Sequence, residues 1–212
     1  GDDVVLTIDK LIQNIAVEKL RDEKSAAAVV MKINNGEILA LASVPSYDPN
    51  AFDIGMSKKE WEEISGDPLA PLINKAVSGL YAPGSTFKMV VAMAALEHGV
   101  ITPDTKIHCK GHVELGNHRF HCWKKTGHGP VNLRTAIQQS CDTYFYEIAR
   151  RLGINKIAEM GRRFGLGTVT GIDLPNERSG LMPTSAWKKK KLGVAWQQGE
   201  TLVAGIGQGF VL

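Results

Sequence analysis

The sequence lacks any apolar run that approaches the ~18 to 20 residues needed for a membrane-spanning helix. Its opening residues, Gly1, Asp2 and Asp3, are typical neither of a signal peptide nor of an amphipathic targeting helix. It also has no internal repeat, and no low-complexity segment beyond one short run of lysines. Any membrane anchor is therefore expected to lie outside this sequence.

Cysteine is scarce as well, with three residues in a chain of 212. Three cysteines are too few for a disulfide scaffold, and an odd number leaves at least one thiol unpaired. Metal ligation and inert burial both remain open at this point.

The composition is that of an ordinary soluble globular chain, with 43% hydrophobic residues, 22% charged residues and a formal net charge of +3. The basic pI comes largely from the run at 188–191, which we interpret as a solvated face rather than a nucleic-acid surface. The glycines at 205–209 do not match a dinucleotide-binding spelling, so we expect a tight backbone approach there. No nucleic-acid partner is predicted.

Residue spacing predicts the elements of the first half. Residues 4–9 resemble a short strand, and a helix over 11–20 would be capped by Asp9. Two apolar runs, 26–32 and 37–42, flank Asn35 and Gly36, a strong hairpin signal. A short helix is expected around Trp61.

In the second half, residues 85–96 predict a helix that is apolar on most sides and therefore belongs in a core. Residues 101–130 contain five of the six histidines and two of the three cysteines, and we interpret them as a loop-like insertion. Helical spacing returns over 133–152 and again over 154–164.

Ser85 and Lys88 stand three residues apart at the start of the predicted core helix, which places both on one face. Desolvation favours the neutral form of a buried amine, so such a lysine can take a hydroxyl proton. A second Ser-x-x-Lys, Ser185 to Lys188, runs into three further lysines, and we expect its amine to stay hydrated on the surface. Ser140 and Asp142 follow Ser85 in the order of a known catalytic set, Ser-x-x-Lys, Ser-x-Asn or a variant, and Lys-Thr-Gly.

Several longer strings extend this pattern, and together they are far more specific than any one of them. They are Thr7-Ile8-Asp9, residues 38–43 and 45–52, Asn74-Lys75-Ala76, residues 81–88, Gly127-His128-Gly129, Ser140-Cys141-Asp142, residues 170–175 and 177–180, and residues 205–209. In them the chain resembles the transpeptidase domain of class B penicillin-binding proteins of the elongation type. The likeness covers essentially all of residues 1–212.

The resemblance implies an α/β (α+β) fold of the penicillin-binding transpeptidase and serine β-lactamase-like kind, an antiparallel sheet with helices. It implies a peptidoglycan D,D-transpeptidase in which Ser85 is the acylated nucleophile, Lys88 its general base and Ser140 a proton relay. Asp142 stands where related families often have asparagine. Lys125-Thr126-Gly127 precedes Ser140, whereas the family's third motif follows it, so we assign it no catalytic role.

The resemblance also implies partners and a location. The substrates would be peptidoglycan stem peptides, and β-lactams would acylate the same serine. A membrane glycan polymerase and proteins of the elongation machinery would be partners, at the periplasmic face of the bacterial inner membrane. The membrane anchor, the N-terminal pedestal and the C-terminal Lys-Thr-Gly part of such enzymes are not in this sequence, so we expect weak or no peptide turnover by this chain alone.

A structural zinc site is a further implication of the resemblance. Elongation-type enzymes resemble one another in a metal site whose ligands are commonly Asp, Asp, His and Cys. The matching positions here are Cys109, Cys122, His128 and Cys141, with cysteine in place of both acids. Three thiolates and an imidazole would form a closed tetrahedral shell suited to zinc. The alternative is one disulfide plus a free thiol, as an oxidising periplasm would permit.

Two other functions stay open on the sequence. One is a β-lactam-hydrolysing or β-lactam-sensing protein of the same fold, although residues 170–180 offer no evident deacylating base. The other is an inactive, zinc-stabilised interaction module.

Overall fold

The structure, a computed structural model, describes residues 2–212 and consists of two compact units. The first unit runs to Leu80 and includes Asp173–Arg178, and the second comprises Tyr81–Ile172 and Ser179–Leu212. Among the described residues, no helix has both the length and the apolar character needed to cross a membrane.

The first unit pairs a helix with an antiparallel hairpin, as predicted. Its elements are α1 Lys10–Leu20, β1 Ala26–Met31, β2 Ile38–Val44, α2 Asn50–Ile54, α3 Lys58–Gly66 and α4 Lys75–Ser78. Asp9 caps α1 because its Oδ1 accepts hydrogen bonds from the backbone amides of Leu11 and Ile12 at 2.9 and 3.0 Å. In the hairpin, Ala26 lies opposite Val44.

The prediction of a strand at residues 4–9 is wrong. Val4, Val5 and Leu6 are 82%, 93% and 69% exposed and have no assigned strand. Their apolar character is typical of a strand, but a strand needs a backbone ladder with a partner strand. Residues 4–9 instead contact β2 through Asp9 N, which donates to Leu39 O, and through the Thr7 hydroxyl, which donates to Ile38 O.

The second unit is built around α5, which packs against α7, α8 and other helices of the unit. Its elements are a 3₁₀ helix Gly84–Phe87, α5 Lys88–Glu97, β3 Ile107–Cys109, β4 His112–Leu115, β5 His118–His121, β6 Gly129–Val131, α6 Leu133–Gln138, α7 Asp142–Leu152, α8 Ile154–Arg163, α9 Ser185–Leu192 and α10 Gln198–Ala204. The predicted core helix is confirmed. Its residues Val91 and Ala95 are fully buried, as are Phe145 and Ile148 of α7.

Residues 101–130 are more ordered than a loop-like insertion. β3 pairs with β6 and β4 pairs with β5, both antiparallel. These strands have only three or four residues, too few for an alternating pattern to stand out in the sequence. Within the β4–β5 hairpin, Glu114 faces Arg119 at 3.1 Å.

The prediction that the Lys188 amine is hydrated on the surface is also wrong. Its side chain is 7% exposed rather than hydrated, and its amine contacts the carboxylate of Glu200 and donates to Ala195 O at 3.1 Å. α9 does begin at Ser185, as expected, but Ser185 Oγ donates to Asn155 Oδ1 instead of facing the amine. Of the four lysines at 188–191 in α9, Lys188 is therefore buried and the other three are exposed.

This burial makes Lys188 a stability residue. Lys188→Ala removes the charged partner of Glu200 Oε1 and leaves that oxygen partly buried, so we expect the free energy of unfolding to fall by about 3 kcal/mol. Lys190→Ala, on the exposed side of the same helix, is expected to change it by less than about 0.5 kcal/mol. Urea denaturation followed by circular dichroism measures both, and equal effects of the two variants would contradict the assignment.

Candidate active site

Ser85 lies in the 3₁₀ helix that leads directly into α5. Pro83 precedes this helix, and Gly84 has a φ of +58°, a conformation that favours glycine. Ser85 is exposed, whereas Lys88, one turn later, is 2% exposed. The helix start thus presents a hydroxyl to solvent and holds an amine inside the protein.

The amine of Lys88 has three acceptors around it. Nζ donates to Ser140 Oγ at 2.9 Å, to the Ser140 carbonyl at 3.0 Å and to Asp142 Oδ1 at 2.6 Å. The Lys88 and Asp142 side chains are 3% and 13% exposed. The three acceptors match in number the three N–H donors that a lysine ammonium group offers.

Ser140 links this buried pair to the exposed serine. Its Oγ lies 2.9 Å from Ser85 Oγ and 2.9 Å from Lys88 Nζ. The three atoms form a continuous path along which a proton can move between Ser85 and Lys88. The serine predicted to be a relay therefore lies between Ser85 and Lys88.

The backbone at Ser140 explains how it reaches that position. Helical spacing extends over 133–152 in the sequence, but α6 ends at Gln138 and α7 begins at Asp142. Ser140 sits in the break with a φ of +49°, which is uncommon for a residue other than glycine. Such strain occurs where the surroundings enforce it, often at functional sites.

Asp142 joins the lysine to the histidine-rich segment. Its Oδ1 accepts from Lys88, and its Oδ2 accepts from the backbone amide of Trp123 at 2.9 Å. The Trp123 indole in turn donates to Gln139 O at 3.0 Å. Sequence reasoning missed Trp123, because a backbone donor carries no signal in its residue type.

The four residues predicted as metal ligands come together next to this site. The ligand atoms of Cys109, Cys122, His128 and Cys141 all lie within 4.8 Å of one another. His128 points Nδ1 at the sulfurs, 3.5 Å from Cys109 Sγ and 3.7 Å from Cys122 Sγ. All three cysteines are free thiols, so the alternative disulfide is not formed in the structure.

The chemistry of this cluster fits a cation. Burial raises the pKa of the Cys109 thiol, but interactions with the Thr143 and His128 side chains and with nearby backbone groups outweigh it and bring the pKa down to about 6. Burial also raises the pKa of Cys141, and the neighbouring Cys109 raises it further. One thiolate therefore opposes the ionisation of the next, and a cation among them would remove that conflict.

Two look-alike motifs occur in other surroundings. Lys125 and Thr126 lie in a turn rather than in a strand, as predicted from their neighbours. The Ser185 hydroxyl bonds to Asn155 rather than to Lys188.

Comparison with known proteins places the chain in a family. The model of the penicillin-binding protein transpeptidase domain matches residues 26–211. The chain is 44% identical to the peptidoglycan D,D-transpeptidase MrdA of Escherichia coli K12 over 212 residues, 99% of this chain and 33% of that protein. It thus spans about a third of this curated relative.

Solved structures agree with this match. The chain superposes on penicillin-binding protein 2 of Pseudomonas aeruginosa, solved with WCK 5153, with a TM-score of 0.93 and 42% identity over 100% of this chain and 46% of that one. It superposes on the Helicobacter pylori penicillin-binding protein 2, solved in complex with MreC, with a TM-score of 0.91 and 40% identity over 96% and 38%.

The two hydrogen bonds that Asp142 accepts predict how its replacement by asparagine affects the rate of labelling. Asp142→Asn has one carbonyl oxygen for two donors, so its NH₂ must face either the Lys88 ammonium or the Trp123 amide. An unsatisfied buried donor costs about 1 to 3 kcal/mol, so we expect fluorescent penicillin to label Ser85 roughly 5- to 150-fold more slowly. Stopped-flow labelling measures the rate.

Glu147→Gln is the matched control for this variant. Glu147 is on the same helix and also accepts from two donors, but these are the arginines Arg150 and Arg151, which water can reach. Labelling of this variant should keep the wild-type rate. Wild-type labelling by Asp142→Asn would show that an amide serves as well as the carboxylate.

Proposed function

This chain belongs to the penicillin-binding protein transpeptidase family, and from that premise we propose that it forms the acyl-enzyme of a peptidoglycan D,D-transpeptidase. One observation carries the proposal. An exposed Ser85 hydroxyl is joined through Ser140 Oγ, by contacts of 2.9 Å each, to a buried lysine.

The first half of the reaction forms an ester at Ser85. Ser85 Oγ attacks the carbonyl carbon of the penultimate D-Ala of a stem peptide, and its proton passes through Ser140 Oγ to Lys88 Nζ. Lys88 must be neutral to accept it, and Asp142 Oδ1, at 2.6 Å, is the group in reach that can take the lysine's own proton. The same path returns a proton to the nitrogen of the departing terminal D-Ala.

The second half releases the acyl group. An amine on a neighbouring glycan strand attacks the Ser85 ester, gives up a proton along the same path and leaves as the cross-linked amide. Ser85 Oγ recovers its proton. A β-lactam ring presents a similar carbonyl to the serine but keeps its leaving nitrogen attached, so the adduct persists.

The biological setting proposed for the parent protein follows its relatives. The names of these relatives support a place in cell-wall assembly beside an MreC-like scaffold and a glycan polymerase. Cell elongation, rod shape and a location at the periplasmic face of the inner membrane belong to the same proposal.

The assignment of the nucleophile has a direct test. Ser85→Ala should abolish the adduct with fluorescent penicillin, whereas Ser185→Ala, in the second Ser-x-x-Lys, should label like wild type. Lys88→Ala should slow labelling by about 10³-fold or more, because base and nucleophile act as a unit. Intact-mass spectrometry and peptide mapping locate the adduct, and an adduct on another serine would refute the assignment.

The lifetime of the same adduct separates the reaction classes. A transpeptidase keeps the label through hours of chase, whereas a β-lactam-hydrolysing enzyme loses it rapidly. If the wild-type chain takes no label, the inactive interaction module is the one remaining functional hypothesis.

We also propose that Cys109, Cys122, His128 and Cys141 hold one structural zinc ion. Their atoms lie within 4.8 Å of one another and the three cysteines are no more than 2% exposed. A zinc ion in this closed shell would supply cross-linking between β3, the loop before α7 and residues 122–128, and no reaction step.

Metal removal tests this site. The purified chain should contain about one zinc, and chelation should free three titratable thiols and lower Tm by about 10 °C if the ion contributes some 3 to 5 kcal/mol to folding. Cys122→Ser should lose the ion, whereas His121→Ala, a histidine one residue away that faces outward, should keep it. A metal-free preparation with a disulfide would contradict the proposal.

A further inference from the structure

The glycines of residues 205–209 lie between the two elements that carry the catalytic side chains. Gly207 has no side chain, but its carbonyl accepts a hydrogen bond of 2.9 Å from the backbone amide of Gly84, the residue before Ser85. This contact ties the segment after α10 to the start of the 3₁₀ helix.

Gly207 can approach this closely only because it lacks a Cβ. A Cβ there would lie 2.2 Å from the Gly84 carbonyl oxygen and 2.7 Å from Phe87 Cβ, and its φ is +71°. The backbone of residue 207 is thus in direct contact with the turn that presents Ser85. Any side chain at this position must displace that turn.

Gly205 makes the corresponding contact on the opposite side. A Cβ there would lie 2.4 Å from Ala149 Cβ and 3.1 Å from the Phe145 carbonyl oxygen, both on α7. The φ of Gly205 is −62°, so only space, and not backbone conformation, requires glycine here. α7 begins at Asp142, next to Ser140.

We propose that Gly205 and Gly207 act as a spacer that sets the separation between the Ser85 turn and α7, and hence the 2.9 Å contact between Ser85 Oγ and Ser140 Oγ. Both are positioning residues, since neither has a group that touches the reacting atoms. The buried Ile206, 7% exposed, anchors the spacer in the core between them. This inference rests on the proposed acylation of Ser85.

The test uses the rate constant for acylation at saturating fluorescent penicillin, measured separately from the affinity of the initial complex. Gly207→Ala should lower this rate constant by about 100-fold, the cost of a misplacement near 1 Å, and leave the affinity and the final labelled fraction unchanged. Gly193→Ala is the matched control, because Gly193 has a φ of +73° and no atom within 4 Å of its Cβ position. It should stay within about 3-fold of wild type.

A methyl swap gives an independent readout. Gly205→Ala should slow acylation, and the double variant Gly205→Ala with Ala149→Gly should restore the rate, because it moves the clashing methyl from one side of the contact to the other. If Gly207→Ala does not fold, the swap alone decides. A variant that loses thermal stability but keeps the wild-type rate constant shows ordinary packing and overturns the spacer. A wild-type chain that takes no label instead overturns the proposed acylation.

Discussion

The buried ion pair between Lys88 and Asp142 is the interaction on which the rest of the site depends. Two charges with side-chain exposures of 3% and 13% have lost most of their water, and such a pair is tolerated only when its remaining hydrogen bonds are made. Ser140 supplies two of these bonds and Trp123 supplies one. The need to satisfy the pair therefore fixes both the strained turn at Ser140 and the path of the segment around Trp123.

The core helix of the second unit is what makes this burial possible. α5 is apolar on nearly every side, with Val91, Ala94 and Ala95 fully buried, so its first residue is already inside the protein. Ser85 lies one turn earlier, in the 3₁₀ helix before α5, and is still exposed there, whereas Lys88 is in the core. An exposed nucleophile and a desolvated amine thus follow from the position of one helix start.

Sequence reasoning reached the elements whose signal is local. Asp9, the Asn35-Gly36 turn and the apolar run after Lys88 each specify their element through nearby residues. The break at Ser140 could not be predicted in this way, because residues 133–152 keep helical spacing and the break is set by partners far along the chain. The burial of Lys188 was missed for the same reason, since Glu200 and Trp196 lie beyond its helix.

In the candidate site, too, the local sequence signal is not enough and distant contacts decide. The Ser-x-x-Lys spelling occurs twice, and only tertiary contacts separate the copies. Ser85 bonds to Ser140, which accepts from Lys88, whereas Ser185 bonds to Asn155 and Lys188 to Glu200. Resemblance to a family chose the first copy, and the contacts in the structure give a physical reason for that choice.

The sulfur and histidine cluster is coupled to the ion pair by short covalent links. Cys122 is followed by Trp123, whose amide binds Asp142 Oδ2, and Cys141 lies between Ser140 and Asp142 in the chain. Both ends of the second catalytic motif are thus within one residue of a proposed zinc ligand. A rigid cluster would restrict the rotation of Asp142 and the strained turn of Ser140 together, which is what a proton path of 2.9 Å steps requires. A purely structural ion can in this way govern the geometry of catalysis without contacting a reacting atom.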